Sequence, residues 1–374
     1  MINLTIDGKQ IQAKEGKRIL EAALENDIYI PNLCAIKDIE LPFGACRLCF
    51  VEIEGRKGMV TSCTEPVKEG MVVRTITDEI TKMRRAVLEF ILARHPHECL
   101  TCHRRETCGP MDVCLKSVSV DYRCVICPKN KRCDLQKVVD YVGLESVDVP
   151  YQYRNLPIES DPLIARDYNL CILCGKCVRV CQEERGVGAI AFIDRGKDVM
   201  VGTLFGRSLE DAGCQFCGAC VDVCPVGALT ERKSRWIGIE DGKVRSTCSY
   251  CGIGCQMWLH HKNGKIVRVT GVENAEPNKG RLCVKGKFAY DYIYHPDRLT
   301  TPLIKDDGGH FREASWDEAL DLITYKIATI LSESGPESFA GVSCARDTNE
   351  ASYNMQKLFR SVIKTNNIDH CART

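Results

Sequence analysis

Histidine is scarce in this chain, at 8 residues, and net charge is nearly absent: 51 Lys plus Arg stand against 50 Asp plus Glu, a formal charge of +1. That balance leaves no electrostatic footprint for a phosphate backbone, so nucleic acid is not an expected partner. No apolar run approaches the roughly 20 residues of a membrane span, and none is expected. The opening residues, from Met1 to Gly8, lack the basic, apolar and small-residue parts of a secretory leader. What abounds is cysteine, 25 in 374 residues. Disulfide scaffolds are typically short and secreted, so the expectation here is thiolate-bound metal in a reducing, cytoplasmic compartment. The length alone implies about two or three domains, and metal clusters allow smaller modules than that to fold.

The stretch from Cys171 to Cys224 organises the rest. Cys171, Cys174, Cys177 and Cys181 form one run, and Cys214, Cys217, Cys220 and Cys224, followed by Pro225, form another. Each reads C-x2-C-x2-C-x3-C, the spacing that holds two [4Fe–4S] clusters, the fourth cysteine of each run ligating the other run's cluster. The expected sets are Cys171, Cys174, Cys177 and Cys224, then Cys214, Cys217, Cys220 and Cys181. Zinc knuckles are the competing interpretation, but zinc closes with four ligands, usually as two separated pairs. Residues 183–213 form an insertion between the runs, with Gly186, Gly188, Gly196 and Gly206 marking turns.

Upstream, Ile2, Leu4 and Ile6 alternate, and Asp7-Gly8 predicts a hairpin turn. Ile19, Leu20, Ala23 and Leu24 then predict a short helix ended near Pro31. Cys34, Cys46, Cys49 and Cys63 follow, a lone cysteine, a pair and a distant fourth, with gaps of eleven and thirteen residues around the pair. This is the logic of a [2Fe–2S] loop site, with buried structural cysteines as the alternative. Ile80, Met83, Val87, Leu88 and Ile91 predict a helix with one apolar face. The basic clusters Arg84-Arg85 and His103-Arg104-Arg105 are expected to offset anionic clusters or to stay solvated.

His95-Pro96 leads into Cys99, Cys102 and Cys108, a pattern H-x3-C-x2-C-x5-C that suits a cluster with one imidazole ligand and a raised potential. His97 is a decoy in this interpretation. Cys114, Cys124, Cys127 and Cys133 follow, and Cys124 to Cys133 repeats the C-x2-C-x5-C spacing. They are expected to form a second, all-thiolate site; the alternative is one cluster with a displaced ligand set.

Downstream, 237–246 has the rhythm of a strand hairpin around Asp241-Gly242, and Asn263-Gly264 predicts another hairpin. Cys248, Cys251, Cys255 and, after twenty-seven intervening residues, Cys283 make a further four-thiolate set, with a zinc ribbon as its alternative. From 301 the pattern is α/β. Trp316, Ala319, Leu320, Ile323, Ile327, Ile330 and Leu331 give a helical stripe, 338–342 a buried strand, and residues from about Glu350 to Lys364 a helix. Only one strand–helix unit is begun there, too little to bury a core. All these sets together use 23 of the 25 cysteines, leaving Cys344 and Cys371.

The first 230 or so residues resemble the N-terminal part shared by the large peripheral subunit of respiratory complex I and by FeFe-hydrogenases. The carrying residues are the four N-terminal cysteines, His95-Pro96 with its cysteines, and the twin runs. Cys133-Asp134-Leu135-Gln136 is similar to the end of that family's histidine-cluster motif. From Cys248 the chain resembles molybdopterin-dinucleotide oxidoreductases, whose cluster lies nearest the metal cofactor; Lys285 matches a lysine on the route to the pterin. Residues 288–303, Arg346, and 366–373 resemble formate dehydrogenase catalytic subunits, and Thr348, Asn349 and Glu350 match a pterin-side loop there.

The resemblance implies an α+β multidomain protein. Its first expected domain is a β-grasp [2Fe–2S] ferredoxin-like domain at 1–78. Next comes a [4Fe–4S] domain at 79–145, with one histidine and three cysteine ligands and a second cluster beside it. A 2[4Fe–4S] ferredoxin domain at 160–235, a molybdopterin oxidoreductase [4Fe–4S] domain at 241–300, and an incomplete α/β molybdopterin-binding domain at 301–374 complete the series. The resemblance implies one [2Fe–2S] and four or five [4Fe–4S] clusters, with molybdenum or tungsten on two molybdopterin guanine dinucleotides in the full subunit. The implied activity is formate dehydrogenase, with formate and CO2 as substrates and a flavin/NAD-binding or ferredoxin-type acceptor subunit as partner; this 374-residue chain alone is expected to be inactive. The alternative is a non-catalytic iron–sulfur electron-transfer subunit of a hydrogenase or NADH dehydrogenase-type complex. In the formate dehydrogenases it resembles, a segment like 366–374 is followed at once by a metal-binding cysteine or selenocysteine, so continuation beyond Thr374 through a UGA-encoded selenocysteine is expected.

Overall fold

The computed structural model describes all residues except Asp38, Leu115, 117–121, Tyr153 and 372–374. The expectation about Thr374 falls outside the described residues. Packing divides the chain into two compact units, 1–243 with 260–268, and 244–259 with 269–374.

The first unit begins with a mixed five-stranded sheet. Strands β1 (Ile2–Ile6) and β2 (Lys9–Ala13) pair antiparallel through Asp7 and Gly8, whose φ values of 47° and 81° supply the two left-handed positions of a tight hairpin. Helix α1 (Ile19–Glu25) follows, then β3 (Phe50–Ile53), β4 (Met59–Thr61) and β5 (Met71–Arg74). The order is β2-β1-β5-β3-β4, with β5 parallel to β1. Leu4, Ile6, Ile11, Ile19, Leu20, Val51 and Val73 form the core, and Cys49 and Cys63 are buried within it. The helix stops at Glu25, before Pro31, where Asp27 turns left-handed at φ 60°.

Helix α2 (Asp78–Leu92) is capped by Thr77, whose hydroxyl accepts from the Ile80 N–H at 3.2 Å. Its buried face runs Ile80, Arg84, Leu88, Leu92, a strict four-residue step, while Met83 is exposed. Of the two roles expected of it, offsetting an anionic cluster or staying solvated, Arg84 does not take the second. It is 3% exposed and donates from Nε to the Leu48 carbonyl at 2.9 Å and from Nη2 to the Phe50 carbonyl at 2.7 Å. Helix α3 (Asp134–Val142) starts directly after Cys133 and ends at Gly143, left-handed at φ 65°.

The twin-run region is built on a small sheet of β6 (Glu159–Ser160), β7 (Ile164–Arg166) and a later strand, Leu229–Glu231. Short helices α4 (Lys176–Arg179) and α5 (Ala219–Val223) occupy equivalent places in the two runs. Within the insertion a hairpin of β8 (Ala191–Ile193) and β9 (Met200–Gly202) forms. The four expected turn glycines, Gly186, Gly188, Gly196 and Gly206, all have positive φ.

The hairpin expected at 237–246 does not form. Only Gly242–Thr247 is a strand, because the preceding backbone is held elsewhere: Lys262 Nζ donates to the Ile237 carbonyl at 2.6 Å, and the Asp241 N–H donates to the His261 carbonyl at 2.9 Å. Nearby, the His260 ring and the Arg268 guanidinium hold the Glu240 carboxyl well below the usual carboxylate range, and Arg132, next to Cys133, lies 3.4 Å from the same group. The hairpin at Asn263-Gly264 does form, joining strands Gln256–Lys262 and Lys265–Gly271 with φ of 49° and 73° at the turn.

In the second unit, Trp316–Ser334 is a helix capped by Ser315 and closed by Gly335. None of its residues is buried; Trp316 is 70% exposed, so the apolar stripe lies open. Strand Gly341–Ser343 pairs in parallel with Ile368–His370 across helix Asn349–Lys357, a single crossover unit. The buried strand expected at 338–342 is instead this short one with Val342 facing out, since two strands cannot cover both faces. No helix among the described residues is long and apolar enough to cross a membrane.

Candidate metal centres

Cys34, Cys46, Cys49 and Cys63, all buried, come together beside the first sheet. The Leu33 N–H donates to Cys46 Sγ and the Cys46 N–H to Cys34 Sγ, both at 3.4 Å. Hydrogen bonding from Cys34 and from the Leu48 and Leu33 N–H groups pulls the Cys46 thiol down to about 6, while Cys34 is pushed the other way. Backbone donors aimed at sulfur suit a thiolate–iron site, whose potential such bonds adjust. Arg84 braces the loop from below, through carbonyls on either side of Cys49. At the loop's other end Phe43 stacks on Phe192 at 6.3 Å and sits where a Cβ on Gly175 would come within 2.8 Å. The [2Fe–2S] loop thus packs onto the turn between Cys174 and Cys177.

The twin runs repeat one local geometry. Leu173 and Phe216 take φ of 56° and 49°, and Gly175 and Gly218 both take 75°. The Leu173 N–H donates to Cys171 Sγ at 3.4 Å, and the Phe216 N–H to Cys214 Sγ at 3.3 Å. Cys171, Cys174, Cys177 and Cys224 line one cavity of about 340 Å³. The Cys220 thiol lies within electrostatic reach of Cys217, Cys214 and Cys181. The crossed sets are therefore brought together. Burial pushes the Cys171 thiol up to about 11; iron held by this set would supply the positive charge that favours its thiolate.

Around His95 the structure groups residues differently from their order in sequence. His95 is buried, and burial pushes its imidazole down to about 4. Nδ1 lies 3.0 Å from the Leu170 carbonyl, which can only accept, so Nδ1 carries the proton and Nε2 keeps a free lone pair. The cavity it lines, about 550 Å³ counting its open mouth, is shared with Cys124, Cys127 and Cys133. Cys99 pairs with Cys124 but does not line that cavity, nor do Cys102 and Cys108. Cys99, Cys102, Cys108 and Cys114 are all partly exposed. Their loop is tied down by Arg105 on Asp140 at 2.9 Å and by the buried Arg123, which donates to the Asp112 and Pro110 carbonyls at 2.7 and 2.6 Å. His97, expected to be a decoy, has its Nε2 buried without a hydrogen-bond partner.

The histidine cavity abuts the twin-run sites. A Cβ on Gly227 would lie 2.7 Å from Cys127 Sγ, the Cys133 thiol is 3.5 Å from the Pro225 carbonyl, and the Asp134 N–H donates to that carbonyl at 2.9 Å. Cys224, one ligand of the neighbouring set, immediately precedes this stretch. Among the described residues no three His, Cys, Asp or Glu side chains converge tightly enough for a single metal ion; the sets around Cys171 and His95 line open cavities instead.

In the second unit Cys248, Cys251, Cys255 and Cys283 come within electrostatic reach of one another, Cys248 buried and Cys251 and Cys283 exposed. Lys285 is exposed, whereas Lys287, two residues on, is buried with Nζ donating to the Val269 carbonyl at 2.7 Å. Thr348 caps the helix Asn349–Lys357, its hydroxyl accepting from the Ala351 N–H at 3.2 Å; Asn349 and Glu350 are exposed in the first turn. Cys344 and Cys371 stand 3.8 Å apart.

Arg84, Gly227 and Phe43 belong to these sites although the cysteine pattern does not point to them. Arg84 has a sequence signal, since it falls four residues from both Ile80 and Leu88; Gly227 and Phe43 act through contacts that spacing cannot express.

Comparison with known proteins follows the same order along the chain. Residues 1–78 match a 2Fe-2S iron-sulfur cluster binding domain, and 84–115 match the NADH-ubiquinone oxidoreductase-G iron-sulfur binding region. Residues 161–230 match the ferredoxin-like domain of NADH-quinone oxidoreductase subunit 3. Residues 241–295 match the molybdopterin oxidoreductase Fe4S4 domain, and 298–374 match molybdopterin oxidoreductase. The NADPH-Fe(3+) oxidoreductase subunit alpha of Geobacter sulfurreducens is 36% identical over 100% of this chain and 40% of its own length. The NADH-quinone oxidoreductase G 2 protein of Rhizobium meliloti is 33% identical over 100% and 40%. A Staphylococcus aureus protein provisionally named formate dehydrogenase is 30% identical over 99% and 39%. The chain thus spans about 40% of the length of these curated relatives. It carries the 2Fe-2S and 4Fe-4S domains of NADH-quinone oxidoreductase G-like proteins, joined to the iron–sulfur and following segments of a molybdopterin oxidoreductase.

Proposed function

We propose that the chain is the electron-transfer portion of a cytoplasmic formate dehydrogenase. In the full subunit formate would give CO2, a proton and two electrons at a molybdenum or tungsten pterin centre, and the sites of this chain, filled with iron–sulfur clusters, would carry those electrons singly. The protein's own part is to hold the sets in order and to aim N–H donors at their sulfurs. Electrons would leave the Cys248–Cys283 set for the twin runs. From there the contact of Gly227 with Cys127 and that of Gly175 with Phe43 offer two onward routes within the first unit, toward His95 and toward the [2Fe–2S] loop. A flavin/NAD-binding or ferredoxin-type subunit is the partner this arrangement calls for. Lys285, Thr348, Asn349 and Glu350 are the proposed pterin-side residues.

The observation that carries this reading is the junction of iron–sulfur domains with molybdopterin oxidoreductase segments in one chain. The formate-dehydrogenase likeness of 288–303 and the name of the staphylococcal relative favour formate. The names of the Geobacter and Rhizobium relatives favour a second reading, an electron-transfer subunit serving a nicotinamide-dependent partner with no catalysis of its own. Assay of the full-length gene product with formate and a viologen dye separates the two. Formate-dependent dye reduction is the expected result. Reduction by NADH or NADPH through a partner subunit, with none from formate, supports the second reading instead.

A further inference from the structure

We propose that His95 shares its cluster with Cys124, Cys127 and Cys133, and that Cys99, Cys102, Cys108 and Cys114 form the separate, all-thiolate set. The proposal rests on the iron–sulfur reading above and exchanges the partners that sequence order assigns to the histidine.

Three observations place His95 with the later cysteines. It lines one cavity with Cys124, Cys127 and Cys133, and none of Cys99, Cys102 or Cys108 reaches it. The carbonyl that fixes its tautomer belongs to Leu170, which also lines the cavity and whose Cδ1 would lie 3.2 Å from a Cβ on Gly227, the residue against Cys127. The imidazole is thus held by Leu170 and the Cys127 sulfur lies against Gly227, two residues that pack on each other at one wall of the cavity. Cys133, the N-cap residue of α3, is buried where that helix meets the cavity. That helix also shapes the loop between the ligands: Gln136 accepts from the Lys131 N–H at 2.9 Å and donates to Asn130 at 3.0 Å.

The spacing H-x3-C-x2-C-x5-C suggests the opposite pairing only because it counts residues along the chain. In space, Cys99 turns toward Cys124 from outside the cavity, and Cys102 and Cys108 lie on a partly exposed loop. An imidazole ligand leaves its cluster one negative charge lighter than four thiolates do, which raises its potential. The exchange puts that higher-potential site directly against the loop carrying Cys224, and the all-thiolate set on the outer side.

The test uses the full-length protein, purified anaerobically after labelling with 15N-histidine, and pulsed electron paramagnetic resonance to read nitrogen hyperfine coupling on a reduced cluster. The parent should show histidine coupling, and His95→Cys should abolish it without loss of iron. Cys133→Ala should remove the coupled signal together with about four irons per chain. Cys102→Ala should remove a similar amount of iron and leave the coupling intact. Coupling that survives Cys133→Ala, or that disappears in Cys102→Ala, overturns the assignment. So does coupling that persists in His95→Cys, which would transfer the ligand role to His97. Should Cys133→Ala fail to fold, the same choice is read from Cys127→Ala. Because the readout is spectroscopic, failure here leaves formate activity free to stand or fall separately.

Discussion

Replacing Arg84 by alanine should empty the [2Fe–2S] site while the cubane clusters persist. The guanidinium is buried on the core face of α2 and holds the Leu48 and Phe50 carbonyls that flank Cys49. Removing it strands two buried acceptors, each costing about 1–3 kcal/mol, for a total of roughly 2–6 kcal/mol. It also opens a cavity beneath a loop whose four cysteines must keep fixed positions. Lysine keeps the charge but offers no planar fork to two carbonyls, so Arg84→Lys should recover only part of the loss. Thermal melting and the binuclear cluster's paramagnetic signal measure the effect separately. An alanine variant with a full [2Fe–2S] signal and an unchanged melting temperature would contradict the role given to Arg84.

The second large effect belongs to Gly227. Any side chain there begins with a Cβ 2.7 Å from Cys127 Sγ and 3.2 Å from Leu170 Cδ1. Cys127 is a short, half-buried side chain with no flexible end to yield, and Leu170 supplies the carbonyl that orients His95. Overpacking of this kind costs about 1–3 kcal/mol where a core can relax, and here the displaced atom is a cluster ligand. Gly227→Val should therefore lower the iron content by about four per chain and remove the histidine-coupled signal, leaving the twin-run clusters in place. A full complement of iron in that variant would show that Cys127 is not held where the structure puts it.

Much of the first unit is readable from the sequence because its signals are local. Asp7-Gly8 and Asn263-Gly264 each form the two-residue turn their composition demands. The repeated cysteine spacing translates into a repeated backbone, with paired left-handed residues at Leu173 and Phe216. Expectation and structure part where a contact between distant segments decides the outcome. The strand expected before Asp241 is lost to Lys262 and to the His261 carbonyl. Arg84 stands in a basic pair that suits either an anionic cluster or solvent, and its helical position points it inward. The open face of Trp316–Ser334 shows the reverse case, where periodicity gives the helix but not what covers it.

Iron and acid-labile sulfide per chain, measured on anaerobically purified protein, decide whether this chain holds a series of iron–sulfur clusters. One binuclear and five cubane clusters predict about 22 irons with an equal amount of sulfide. A value near 18 would leave a single cluster around His95. Bound zinc with little labile sulfide would contradict the iron–sulfur assignment throughout the chain.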